Sequence, residues 1–106
     1  GFMEMDETLA QGAARETAEE AGARIEMGAF YSAMSIPRIG QVHVFYLARL
    51  LSAHFDPGPE SAQARLFTED QIPWDELAFT AVRRTLECFF EDRRRGGFGV
   101  HDFDIA

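Results

Sequence analysis

Hydrophobic positions in this chain keep a helical rhythm at each end and a strand rhythm between. Leu9, Ala13, Thr17 and Ala21 recur every four residues, all small or aliphatic, which is one face of a helix narrow enough to lie close against a sheet. Thr8 precedes that run and Gln11 follows three residues later. This is the capping-box spacing, in which each side chain satisfies the other residue's backbone N–H. Gly22 stands just past the last periodic position, where a residue free to turn left-handed ends a helix. Residues 24–36 are apolar-rich and interrupted by Gly28, predicting a strand with a bulge or bend there. Pro37, Arg38, Ile39 and Gly40 form a turn signal. From 41 to 51 the chain alternates, with Val42, Val44, Tyr46, Ala48 and Leu50 on one face and His43, Phe45, Leu47 and Arg49 on the other. Both faces are largely apolar, so this segment reads as an interior strand, hairpin-paired with the one before it.

The second half is less regular. Residues 54–61 carry two prolines and a glycine and predict a loop; 64–68 predict a short strand and 70–75 a turn region. Between Glu76 and Arg95 the period is again helical, with Leu77, Ala81, Val82, Thr85, Leu86 and Phe89 at three- and four-residue steps. Arg93, Arg94 and Arg95 end that run, where positive charge suits the helix dipole, and Gly96 and Gly97 stop it. Residues 98–105 predict a final strand or an ordered tail.

Composition narrows the class. A length of 106 residues, 46% of them hydrophobic and ten of them phenylalanine, predicts one globular domain with a real core. A net charge of −8 argues against binding nucleic acid, whose phosphates would be repelled. Cys88 is the sole cysteine, so the chain forms no internal disulfide and a cytoplasmic setting is expected. No apolar run has the length of a membrane span. His43, His54 and His101 lack zinc-ligand spacing. The glycines at 96, 97 and 99 lack the lysine of a phosphate loop, and a helix stop accounts for them better.

The acidity is local: Glu4, Asp6, Glu7, Glu16, Glu19 and Glu20 all lie in the first twenty residues. On the first helix Glu16, Glu19 and Glu20 fall at i, i+3 and i+4 and project from one side. Each such like-charge pair destabilises an isolated helix by roughly 0.2–0.5 kcal/mol. The arrangement is therefore poor for stability and good for a hard divalent cation. Mg²⁺ takes oxygen ligands and is typically held by one or two carboxylates plus substrate phosphates. An acidic helix face on its own is usually just solvated; the wider spacing is what sets this one apart. Gly1, Glu7, Arg15, Glu16, Glu19, Glu20 and Gly22 fill every fixed position of G-x5-E-x7-R-E-U-x-E-E-x-G-U, with Thr17 and Ala23 at the aliphatic U positions.

That segment resembles the signature of the Nudix hydrolases, which cleave diphosphate bonds in nucleoside diphosphates linked to another moiety. The resemblance implies an α/β fold, an α/β/α sandwich around a mixed sheet. Residues 1–106 would form a partial domain that begins at the signature and lacks the family's upstream strands. By position, Glu16, Glu19 and Glu20 would be the metal ligands, with the Gly1 carbonyl in addition, for Mg²⁺ or alternatively Mn²⁺. Glu7 would support the site through water or by contact with the helix. Arg15 would orient a neighbouring glutamate, and Glu19 is within its i,i+4 reach. Glu60 is the first candidate for general base and Glu69 the second; Gln63 stands where many relatives carry an acid. Pro37, fifteen residues after Gly22, resembles a proline of ADP-ribose-cleaving members. Residues 35–41 and 72–79 are similar to a subgroup linked to ADP-ribose and FAD, whose members often carry a zinc ribbon in front. Arg38 would meet a phosphate, and Phe30 or Tyr31 would stack on a base unless they pack in the core. The resemblance further implies a small nucleotide-sugar or dinucleotide substrate and a homodimer. A non-catalytic nucleotide-sensing module and an inactive fragment of the enzyme are the rival readings.

Overall fold

A computed structural model describes residues 3–52 and 66–106. In chain order the elements are α1 (Leu9–Ala21), β1 (Ile25–Ile36), β2 (Gln41–Leu50), α2 (Thr80–Arg95) and β3 (His101–Asp104). Short 3₁₀ turns occupy Pro37–Ile39, Glu69–Gln71 and Trp74–Glu76. The sheet has the order β2-β1-β3. β1 and β2 are joined by four residues, and the Leu51 N–H bonds the Arg24 carbonyl at 2.8 Å, so this pair is an antiparallel hairpin. β3 runs parallel to β1, with Ser32 opposite His101 and Ser35 opposite Asp104. A parallel pair needs a crossover, and α2 lies within the connection between the two strands. The result is the expected α/β class with a mixed sheet. Among the described residues no helix is long and apolar enough to cross a membrane.

The chain divides into two compact units, one drawn from Gly1–Ala29 and Tyr46–Leu66, the other from Phe30–Phe45 and Phe67–Ala106. Both hairpin strands contribute to each. In the first unit, α1 begins and ends where its sequence predicts. The Gln11 N–H bonds Thr8 Oγ1 at 3.1 Å and the Thr8 N–H bonds Gln11 Oε1 at 2.9 Å. Gly22 turns left-handed at φ 63° and its N–H returns to the Ala18 carbonyl. Gly28 does not break β1, which runs uninterrupted from Ile25 to Ile36. Its role is close approach: a Cβ there would lie 2.7 Å from the Leu47 carbonyl oxygen.

Among the described residues, the second unit holds most of the buried side chains. Tyr31, Met34, Ala81 and Phe90 form its apolar core. Ser32 Oγ and Thr85 Oγ1 are 2.9 Å apart, a hydrogen bond between β1 and α2. Asp92 is 8% exposed and joins three elements through one oxygen. The Tyr31 hydroxyl of β1 donates to its Oδ2 at 2.7 Å, and His101 Nε2 of β3 lies 2.7 Å from the same atom. These bonds, that from His101 first, hold the Asp92 carboxyl below the usual range, and burial pushes the Tyr31 hydroxyl up. Gly96 ends α2 at φ 81°, its N–H directed back to carbonyls of the last turn.

Three further expectations change. Among the described residues β2 is an edge strand and β1 the central one, because β3 joins β1 on its far side; alternation within a strand does not reveal what lies beyond its neighbour. Helix α2 starts at Thr80 rather than Glu76, since Trp74–Glu76 is tied down as a separate turn by Trp74 Nε1 on the Glu69 carbonyl and Arg83 on the Trp74 carbonyl. Residues 66–68 of the expected short strand are not a strand; Thr68 instead caps the Glu69–Gln71 turn through a capping box with Gln71. The loop expected at 54–61 lies outside the described residues.

Two consequences follow for stability. Gly28→Ala forces two backbones apart, and urea denaturation should show a loss of about 1–3 kcal/mol. Asp92 has a depressed carboxyl, so its stabilising contribution is present above the ordinary aspartate value of 3.8 and lost as pH falls through the folded value. The melting temperature of Asp92→Asn should therefore fall less steeply with acid than that of the wild type below that value.

Candidate functional site

Three residues of the predicted site, Glu7, Arg15 and Glu19, come together along α1 and its entry. Asp6 takes a left-handed conformation at φ 65°, which aspartate tolerates better than most residues. The chain doubles back there, and the Glu4 N–H donates to Glu7 Oε1 at 2.7 Å. Two turns into the helix direction, Arg15 reaches back to the same carboxylate. Its Nε meets Glu7 Oε2 at 2.8 Å and its Nη2 meets Oε1 at 3.2 Å, the two-pronged match of planar guanidinium and planar carboxylate. The remaining Arg15 nitrogen, Nη1, donates to Glu19 Oε2 at 3.2 Å, and Glu4 Oε1 lies 3.5 Å from Nε.

One guanidinium thus holds a carboxylate that precedes the helix and one that lies on it. The Glu7 side chain is only 12% exposed. Arg15 beside it, helped by the Glu4 N–H, holds its carboxyl below the usual carboxylate range, and Glu7 in turn raises Arg15. Gly12, the one buried residue of α1, faces this pair: a Cβ there would lie 3.0 Å from Glu7 Oε1.

Glu16, Glu19 and Glu20 share the helix at i, i+3 and i+4, Glu16 half-buried and the other two exposed. All three offer hard carboxylate oxygens, and residues three and four apart on a helix are surface neighbours. Among the described residues no three acidic, histidine or cysteine side chains converge as a ready metal cage. A set that would take one or two ligands from the helix and the remainder from phosphates and water suits Mg²⁺ better than such a cage.

The other sequence-derived candidates separate. Gly1 and Glu60 lie outside the described residues. Arg38, Tyr31 and Glu69 belong to the second unit. Arg38 is exposed on the hairpin turn. Tyr31, a candidate either for stacking on a base or for packing in the core, is a core residue: it is 2% exposed, with Phe89, Phe98 and His101 edge-on around its ring. Phe30, its alternative, is 36% exposed. Both Glu69 oxygens accept from Arg94 Nη1, at 3.1 and 3.0 Å, which ties the Glu69 side chain to α2. Sequence reasoning passed over Gly12 and Glu4. A glycine inside a strong helical pattern was the available signal for the first; the backbone role of Glu4 had none.

The second unit also carries a cleft of about 620 Å³, lined by Trp74, Arg84, Cys88, Asp92, His101 and Phe103 among others. It contains none of the signature residues. Arg84 lies over the Phe103 ring at 4.4 Å, and burial pushes the Cys88 thiol up, which disfavours the thiolate a nucleophile needs.

The profile of the NUDIX domain matches residues 1–87. The crystal structure of a NUDIX hydrolase from Nitrosomonas europaea is similar at a TM-score of 0.95 and 47% sequence identity, over 99% of this chain. The chain spans 60% of the length of that protein. No curated protein sequence matches. With the signature residues filled, the profile covering most of the chain and the fold shared, the chain belongs to the Nudix family.

Proposed function

We propose that the chain carries the catalytic signature of a Mg²⁺-dependent pyrophosphohydrolase that cleaves nucleoside diphosphate-linked metabolites, ADP-ribose or FAD, to mononucleotides. The observation that carries this reading is the hold of Arg15 on Glu7 and Glu19, at 2.8 and 3.2 Å, on the helix that also bears Glu16 and Glu20. An arginine that orients one carboxylate of an otherwise self-repelling face supports a site for a hard cation.

Glu16, Glu19 and Glu20 would hold the metal, with the Gly1 carbonyl, and Mn²⁺ would be accepted in place of Mg²⁺. Bound there, a divalent cation would withdraw charge from the diphosphate. The protein's own residues do the rest. Glu7 fixes Arg15, and Arg15 orients Glu19. In the reaction a water oxygen bonds to phosphorus, the anhydride P–O bond breaks, and the leaving phosphate departs with the electron pair. The water's proton goes to a base, for which Glu60 is the first candidate and Glu69, paired with Arg94, the second. Arg38, exposed on its turn, is available to a substrate phosphate. The ADP-ribose and FAD assignment is supported by Pro37 and by the similarity of residues 35–41 and 72–79 to that subgroup. A cytoplasmic homodimer completes the proposal.

The test is release of AMP from ADP-ribose and FAD, with Mg²⁺ and with EDTA. Glu19→Gln and Glu20→Gln should abolish turnover with circular dichroism and melting temperature kept, and EDTA should abolish it in the wild type. Glu7→Gln, which loosens the hold on Arg15, should cost about 10–100-fold in activity. Wild-type rates in both ligand variants would remove the site assignment. Ligand binding without metal and without product would favour a sensing module.

A further inference from the structure

We propose that Gly12 is a positioning residue of the site, its absent side chain being the seat on which the Glu7 carboxylate rests. The inference builds on the reading of α1 as the metal-holding helix. A glycine inside a helix is locally unfavourable, because it orders the most flexible residue for no side-chain contact. Backbone geometry gives no reason for one at position 12. The positive-φ glycines are Gly22, Gly40 and Gly96, and the Gly12 N–H makes an ordinary helical bond to the Thr8 carbonyl at 2.9 Å.

The reason lies across the helix surface. A Cβ on Gly12 would stand 3.0 Å from Glu7 Oε1 and 3.4 Å from its Cδ. A free carboxylate would swing aside at little cost, but this one is held from three directions. Oε1 accepts from the Glu4 N–H at 2.7 Å and from Arg15 Nη2 at 3.2 Å, while Oε2 accepts from Arg15 Nε at 2.8 Å. Retreat by a few tenths of an ångström strains or lengthens at least one of these bonds. Arg15 then moves with Glu7, and the hold on Glu19 Oε2 at 3.2 Å moves with Arg15. Gly40, Gly96, Gly97 and Gly99 have open space at the corresponding position, and Gly28 meets backbone, whereas Gly12 meets a charged side chain. Its helical cost is the consequence of leaving room for the carboxylate.

Gly12→Ala, made in the full chain, separates this role from a structural one. Alanine favours the helix, so the melting temperature should be kept or raised. Metal-dependent kcat on ADP-ribose or FAD should nonetheless fall, by about tenfold for a displacement of this size. In a Glu7→Ala background the same change should cost nothing further, since no carboxylate remains to be displaced. A readout independent of turnover is the Arg15 Nε–H resonance. It should exchange slowly with solvent in the wild type, and faster in Gly12→Ala and in the larger Gly12→Ser. Wild-type kcat together with a protected Arg15 Nε–H in Gly12→Ala would overturn the proposal. So would an equal loss with and without Glu7. A wild type inactive toward every diphosphate tested would instead count against the proposed function, and the Arg15 resonance would still decide the role of Gly12.

Discussion

The guanidinium of Arg15 is where the charge problem of the N-terminal segment is resolved. Glutamates at 16, 19 and 20 repel one another on one side of a helix, and Glu4 and Glu7 add charge beside it. Arg15 takes up part of that repulsion in a fixed geometry: two of its nitrogens close on Glu7 and a third on Glu19. A lysine could supply the charge but not the planar fork, so it could not hold two carboxylates in set directions. The low exposure of Glu7 makes the pair less subject to solvent screening than an ordinary surface bridge. Arg15 cannot neutralise the whole face, and the negative charge that remains on α1 is the basis of the divalent-cation site proposed above.

The second unit meets a similar demand with a buried carboxylate instead of an exposed cluster. β3 has only four residues, too few for ladder bonds alone to anchor it. Its His101 reaches Asp92 on α2, and Tyr31 on β1 reaches the same oxygen. Burying Asp92 without partners would be costly; with donors from β1 and β3 it becomes a joint between the sheet and the last turn of α2. Among the described residues no buried side-chain nitrogen or oxygen lacks a hydrogen-bond partner, in keeping with a polar joint that is fully satisfied.

Glycine serves three separate purposes in this chain. Gly22 and Gly96 turn left-handed to end helices. Gly28 admits the Leu47 carbonyl of the paired strand, and Gly12 admits the Glu7 carboxylate. Only the first purpose is local, and only there did position in the sequence pattern identify it.

That division runs through the whole molecule. The sequence by itself determined α1 from cap to stop, the hairpin, the end of α2 and the pairing of Arg15 with Glu19. Each depends on groups within about four residues of one another, where backbone geometry leaves few alternatives. Only the tertiary structure decided that β2 lies at an edge of the described sheet and that Tyr31 is core rather than exposed. It also decided that Glu69 is paired with Arg94 and that β1, α2 and β3 meet at Asp92. Those outcomes rest on contacts such as Tyr31 with Asp92, 61 residues apart, and Ser32 with Thr85, 53 apart. Hydrophobic period records which face of a segment is buried; it carries no information about which distant segment will cover it.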